Sequence, residues 1–278
     1  MKNHLSFHSL SLPFTPSHSP LSILLFSFFI FQFSFCRADV IADFRFEGSL
    51  GDKINVSIDF AVNDDGVAVG EIIYLGRKNP KPILLVGTWS GDEYFLDEYS
   101  ADGTVTGCLR LAIDDTTYNE PIITSGSWTN PKTGQVYEMK NMEYIGTSSN
   151  SHWDYAKEEA IDGEYAFHQW DRTSNTLKEG HATFRLAGDH KVRFEVINKL
   201  QGSYLKSAAD RPAELIAYTY NNFNYDNANE CGYSISVHFF TDFVVIKNLT
   251  EDPEAAMCNG RWDNVTGVYF KVKGKKKK

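Results

Sequence analysis

Apolar and polar residues alternate along most of the chain beyond residue 40, and a side-chain period of two belongs to strands, not helices. Val56-Ser57-Ile58-Asp59-Phe60 and Cys108-Leu109-Arg110-Leu111-Ala112-Ile113 carry the pattern. It returns in Thr183-Phe184-Arg185-Leu186, in Val192-Arg193-Phe194-Glu195-Val196 and in Tyr233-Ser234-Ile235-Ser236-Val237. Turn signals separate the runs: Asn63-Asp64-Asp65-Gly66, Ser90-Gly91-Asp92, Ala101-Asp102-Gly103, Asn130-Pro131-Lys132-Thr133-Gly134 and Ala187-Gly188-Asp189. That rhythm is the one of meandering antiparallel sheets. The best helical candidate is short, Trp153 to Ala160.

The first residues are of another kind. Leu21 to Phe35 is apolar apart from Ser and Gln, and a basic start with Lys2 precedes it. A run of about 15 residues is short for a bilayer-spanning helix and suits a secretory leader. Cys36-Arg37-Ala38 then supplies small side chains where a signal peptidase reads. The expectation is a signal peptide over 1–38, a secreted or periplasmic mature chain, and no stable membrane span in it. Without Lys2 and Arg37, 25 of the 27 Lys and Arg remain against 36 Asp and Glu, a charge of −11. Nucleic-acid surfaces depend on clustered cations, so no nucleic-acid partner is expected. The exception is the Lys-rich end, 273–278, read as a solvated basic tail.

Cysteine use fits export. With Cys36 removed, Cys108, Cys231 and Cys258 are left. A bond between Cys231 and Cys258 closes a loop of 26 residues and is worth about 3 kcal/mol in the chain-entropy view. Cys108, behind Gly107 in a strand pattern, reads as a buried thiol.

The segment Gly146-Thr147-Ser148-Ser149-Asn150-Ser151 is small, polar and without alternation, which marks a linker. The chain therefore divides into a first β-barrel domain over 39–146, a linker over 147–160 and a second over 161–272. The fold class is all-β: two tandem small antiparallel up-and-down β-barrels, a closure that leaves no sheet edge exposed. One larger sandwich split by a surface loop is the alternative.

The first half resembles exported bacterial proteins of unknown function built as small calycin-like, lipocalin- or avidin-like, barrels. The matching residues are Gly70-Glu71-Ile72-Ile73-Tyr74, Ile83-Leu84-Leu85-Val86-Gly87, Phe95-Leu96-Asp97-Glu98-Tyr99, Thr106-Gly107 and Gly126-Ser127-Trp128-Thr129-Asn130-Pro131-Lys132-Thr133-Gly134. The second half is similar to a companion module through Cys231-Gly232-Tyr233-Ser234-Ile235, Cys258-Asn259-Gly260 and Gly267-Val268-Tyr269-Phe270-Lys271. The resemblance implies a Cys231–Cys258 disulfide and a last strand ending near Lys271.

No recognisable catalytic set stands in the sequence. Gly87-Thr88-Trp89-Ser90-Gly91 has its Ser one place late for a nucleophile elbow. Phosphate-cradling loops, dinucleotide fingerprints, His-Glu-x-x-His and Cys-x-x-Cys are missing, so neither a cofactor nor a metal is expected. His168, His181, His190 and His238 are scattered. Asp97 and Glu98 are neighbours on a strand and face opposite ways, so only one of them can line a site; a solvated edge is the simpler reading. Asp226, Asn227, Asn229 and Glu230 lack EF-hand spacing. Asn55, Asn248 and Asn264 begin glycosylation acceptors.

The candidate ligand-binding residues are Tyr218, Tyr220, Phe223 and Tyr225, because aromatics interleaved with amides can stack on and hydrogen-bond to carbohydrate or protein. The same residues could instead fill the barrel. Trp89, Trp128, Trp170 and Trp262 could line cavities or plug the barrels. The functional expectation is a secreted, non-catalytic binding or inhibitor-like barrel with a protein or carbohydrate partner. The alternative is a secreted enzyme acting on glycan or lipid, whose carboxylates meet only in the fold.

Overall fold

The computed structural model describes residues 40–273 except 92, 117–119, 149–153, 172–173, 200–201, 208–211, 216–221, 227–233, 250–256, 259–260, 263–264 and the side chains of 171, 257–258 and 261–262. The proposed leader, Tyr218, Tyr220, Cys231, the Cys258 side chain and the end of the basic tail lie outside the described residues. The protein is all-β, and no helix among the described residues is long and apolar enough to cross a membrane. Over 153–160, where a helix was the best candidate, the described part holds only a 3-10 turn, Glu158–Ala160. One turn cannot recover the cost of starting a helix without a packed face.

Eight strands close the first barrel: β1 (Val40–Leu50), β2 (Ile54–Asn63), β3 (Val67–Tyr74), β4 (Ile83–Ser90), β5 (Glu93–Tyr99), β6 (Val105–Asp114), β7 (Ile122–Thr129) and β8 (Val136–Gly146). Each pairs antiparallel with the next, and β8 returns to β1 with Phe46 opposite Tyr144 and Leu50 opposite Met139. Alternation then sorts the side chains. Phe44, Phe60 and Tyr94 meet inside with ring centroids 5.3–5.8 Å apart. Phe46, Ile58, Ile72, Leu96 and Leu111 join this core, each buried side chain of this size contributing about 2 kcal/mol. Closure bends the wall tightly at Gly87, where a Cβ would stand 1.7 Å from the Phe95 carbonyl oxygen.

The second half builds a curled sheet. Its main strands are β9 (Gly163–Asp171), β10 (Thr176–Leu186), β11 (Lys191–Asn198), β12 (Ser203–Lys206), β13 (Ala213–Glu214), β14 (Asn222–Asp226), β15 (Ser234–Phe239) and β16 (Phe243–Asn248). A small hairpin of β17 (Met257–Cys258) and β18 (Arg261–Trp262) precedes β19 (Gly267–Lys271). The order β12-β11-β10-β9-β19-β16-β15-β14 joins first strand to last, as an up-and-down barrel does. β13 pairs with β11, and among the described residues the ladder is interrupted between β13 and β14. Phe184, Phe194, Phe223 and Phe239 fill the concave side.

The two halves share a buried seam. Ala61, Val67, Val69, Val86, Tyr99 and Val105 on the outside of the first barrel meet Phe240, Phe243, Val245 and Val268. Polar groups are buried there as well. His238, 1% exposed, lies with Nε2 3.1 Å from Asp65 Oδ2 in the β2–β3 turn, and Lys247 donates to the Asp65 carbonyl. The contact with His238 holds the Asp65 carboxyl below its ordinary range, while burial pushes the Lys247 ammonium down. The described part of the expected linker is packed too. Tyr155 stacks on Phe240 at 4.9 Å, and Ala156 is buried in the second core.

Candidate functional site: the mouth of the first barrel

Alternation along β5 turns Tyr94, Leu96 and Glu98 inward in succession. The third member is an acid where the series calls for an apolar residue. It stands at the end of the barrel where β3, β5 and β7 finish. Glu98 is 4% exposed, and a buried carboxyl needs donors around it. Three are supplied. Tyr74 Oη donates to Oε2 at 2.5 Å, Trp128 Nε1 donates to Oε2 at 3.3 Å, and Thr106 Oγ1 donates to Oε1 at 2.6 Å.

Two local irregularities make this convergence possible. The β5–β6 register slips by one, so that Glu98 faces Gly107 and Tyr99 faces Val105. Thr106 is thereby the extra residue of a bulge, a device that re-aims a side chain. Gly107 leaves the space for the indole: a Cβ there would lie 2.2 Å from Trp128 Nε1. Burial, followed by the charge and hydrogen bond of Glu98, raises the Tyr74 phenol well above its ordinary pKa, so it stays a donor.

Above these groups opens a cavity of about 520 Å³. Trp128 and Tyr137, opposite each other on β7 and β8 with centroids 5.8 Å apart, give it an aromatic wall. Asn55, Asn130 and Gln135 add amides, Leu50 and Ile54 an apolar floor, and Lys53 and Arg77 positive charge at the rim. The Arg77 guanidinium rests 4.7 Å above the Tyr74 ring. Size and lining suit a small ligand with an apolar ring face and polar edges. Among the described lining residues Glu98 is the sole carboxyl.

Asp97, the neighbour of Glu98, faces the other way, as strand geometry requires. It sits outside the barrel in a cleft of about 780 Å³ between β4–β7 and the strands β16 and β19. Burial pushes its carboxyl up to about 6 against the opposing hydrogen bond from Cys108. Cys108 is a half-buried thiol beside this carboxyl. The two acids of the sequence pair thus belong to separate spaces, and neither is a solvated edge residue.

The Tyr-rich stretch behaves differently. Phe223 has no accessible surface and stacks on Phe194 at 5.4 Å; Tyr225 is half-buried, edge-on to Phe194 at 4.9 Å. Both serve the second core. Of the tryptophans, Trp128 lines the mouth, Trp89 is exposed at the other end of the barrel near Tyr94, and Trp170 lies under Lys132 Nζ at 4.9 Å. Three of the four histidines contact different acids: His181 contacts Glu179, His190 contacts Glu158, and His238 contacts Asp65. Among the described residues no three His, Cys, Asp or Glu side chains gather as metal ligands. Arg77, Lys53 and Thr106 carried no sequence signal for this site. The available hints were Trp128, read as able to line a cavity, and the alternation of Asp97 and Glu98, which lets only one of the two line a site.

No family model matches the chain, and no curated protein matches it. A solved structure of a protein of unknown function from the DUF3598 family of Nostoc punctiforme aligns over 82% of this chain and 94% of its own. Its identity is 8% and its TM-score 0.31.

Proposed function

We propose that this protein is an exported, non-catalytic binding protein that seats a sugar ring of a glycan in the mouth of its first barrel. One observation carries the reading. The barrel is packed with apolar side chains up to its mouth, and there a buried acid is surrounded by three donors beneath an aromatic wall. A sugar offers an apolar face for Trp128 and Tyr137 and hydroxyls for the amides and for Glu98. Hydrolysis of a glycoside by the usual route takes two carboxyls across the bond. Among the described residues the mouth offers one, which favours binding over the enzyme alternative.

Calorimetric titration with a panel of soluble oligosaccharides tests the site. Trp128→Ala is expected to weaken the ligand that binds by at least about fivefold, as stacking on one aromatic is worth about 1 kcal/mol or more. Undiminished binding by the variant removes the mouth from the proposal, and a panel without any binder removes the glycan. Export, with its Cys231–Cys258 bond, belongs to the same reading. The intact mass of the secreted chain should begin at Asp39 and rise by two hydrogens on reduction. A chain that retains 1–38 in the cytosol refutes that part.

A further inference from the structure

Charge around the mouth opposes the sign of the whole protein. The formal charge is −9, yet the loop over 75–82 between β3 and β4 holds Arg77, Lys78 and Lys81, all exposed. Lys53 stands in the β1–β2 turn at the same end. Among the described residues, Lys53, Arg77 and Lys81 have no carboxylate within ion-pair reach. Among the described residues that line the first cavity, Glu98 is one acid against the two cations Lys53 and Arg77, so the balance at the mouth is positive.

The mouth also does not end at its own rim. A second cavity, of about 840 Å³, shares Arg77, Glu98 and Thr106 with the first. It runs along the 75–82 loop toward the second sheet and is lined by Lys81 and Lys273. Lys271 is in its wall too, but donates to the Ala160 carbonyl beside the Tyr165 ring. Asp154 and Asp242 are its acids besides Glu98. Among the described residues that line the two cavities, five cations face three acids. The cations besides Lys271 are spread out: Lys53 lines the first cavity alone, Arg77 both, and Lys81 and Lys273 the second alone.

We infer that the two cavities form one track for an acidic oligosaccharide, a chain of sugar rings that each carry a carboxylate. This rests on the mouth being the glycan site. One ring stacks on Trp128 and Tyr137, and its carboxylate meets Lys53 or Arg77 at the rim. The next rings pass over Arg77 toward Lys81 and Lys273. Separate cations along a path suit carboxylates repeated along a polymer. A phosphate group, with several oxygens at one centre, instead calls for donors that converge on one point.

The test is calorimetry with a galacturonic-acid tetrasaccharide and its fully methyl-esterified form, at low and at high salt. The esters differ from the acids in charge and hardly in shape. The acid is expected to bind about fivefold more tightly at low salt, with the advantage shrinking as salt screens the exposed pairs. Arg77→Gln combined with Lys81→Gln is expected to bring the two ligands within about twofold of each other. Both positions are exposed loop residues, and an unchanged thermal melt shows that the variant is folded. Equal affinity of acid and ester in the parent, a preference for the ester, or an acid preference that survives in the double variant overturns the acidic track and leaves the mouth as a glycan site. Failure of acid, ester and the neutral panel alike overturns both.

Discussion

Glu98→Ala lowers the stability of the protein by about 4 kcal/mol. The acid is 4% exposed, and Tyr74, Thr106 and Trp128 aim their hydrogens at it. Alanine leaves all three donors facing a space that cannot accept from them, and each buried orphan costs about 1–3 kcal/mol. The mouth is open enough to admit water, which keeps the sum below three full penalties. Glu98→Gln keeps the volume and one acceptor oxygen but sets an amide NH2 against donors, so about half the loss is expected. Urea unfolding followed by tryptophan fluorescence reads both variants. An alanine variant with the parent's midpoint would mean that the carboxyl does not organise the mouth.

Asp97→Asn should act in the opposite direction. In the folded protein the Asp97 carboxyl titrates at about 6 because burial in the inter-sheet cleft disfavours its charge. In the unfolded chain it titrates at about 3.9. The folded state therefore holds a proton that the unfolded state has released, and the contribution of this group to stability is full below about pH 4 and is lost as pH rises through 6. A gap of two units corresponds to about 3 kcal/mol, and solvent in the open cleft trims this to about 2 kcal/mol. Asparagine cannot ionise, keeps the shape and still accepts from the Cys108 thiol. The variant should melt roughly 4–8 °C above the parent near neutral pH and together with it at about pH 3.5. A gain that does not depend on pH, or a loss near neutrality, would rule out a buried ionising Asp97.

The same neighbouring acids show where sequence reasoning succeeds and where it stops. That Asp97 and Glu98 face opposite sides followed from the pleat alone. What each side was could not follow. One face proved to be a barrel interior closed by β1 and β8, residues separated by about a hundred positions, and the other a cleft roofed by β16 and β19. The Tyr-rich stretch was locally the most site-like part of the chain, yet its described aromatics, Phe223 and Tyr225, pack on Phe194 from β11. An aromatic has the same local signature whether its partner is a ligand or another aromatic.

The chain by itself determined the strands, their turns and which side chains share a face of each strand, because these depend on neighbours two to four residues away. Only the tertiary structure decided that the halves share the seam of Phe240, Phe243 and Val245 with Val67 and Val69, and that Glu98, Trp128, Thr106 and Arg77 meet at one mouth. Those meetings depend on barrel closure and on a single-residue slip in the β5–β6 register, and a long-range pairing energy leaves no periodic mark in the sequence.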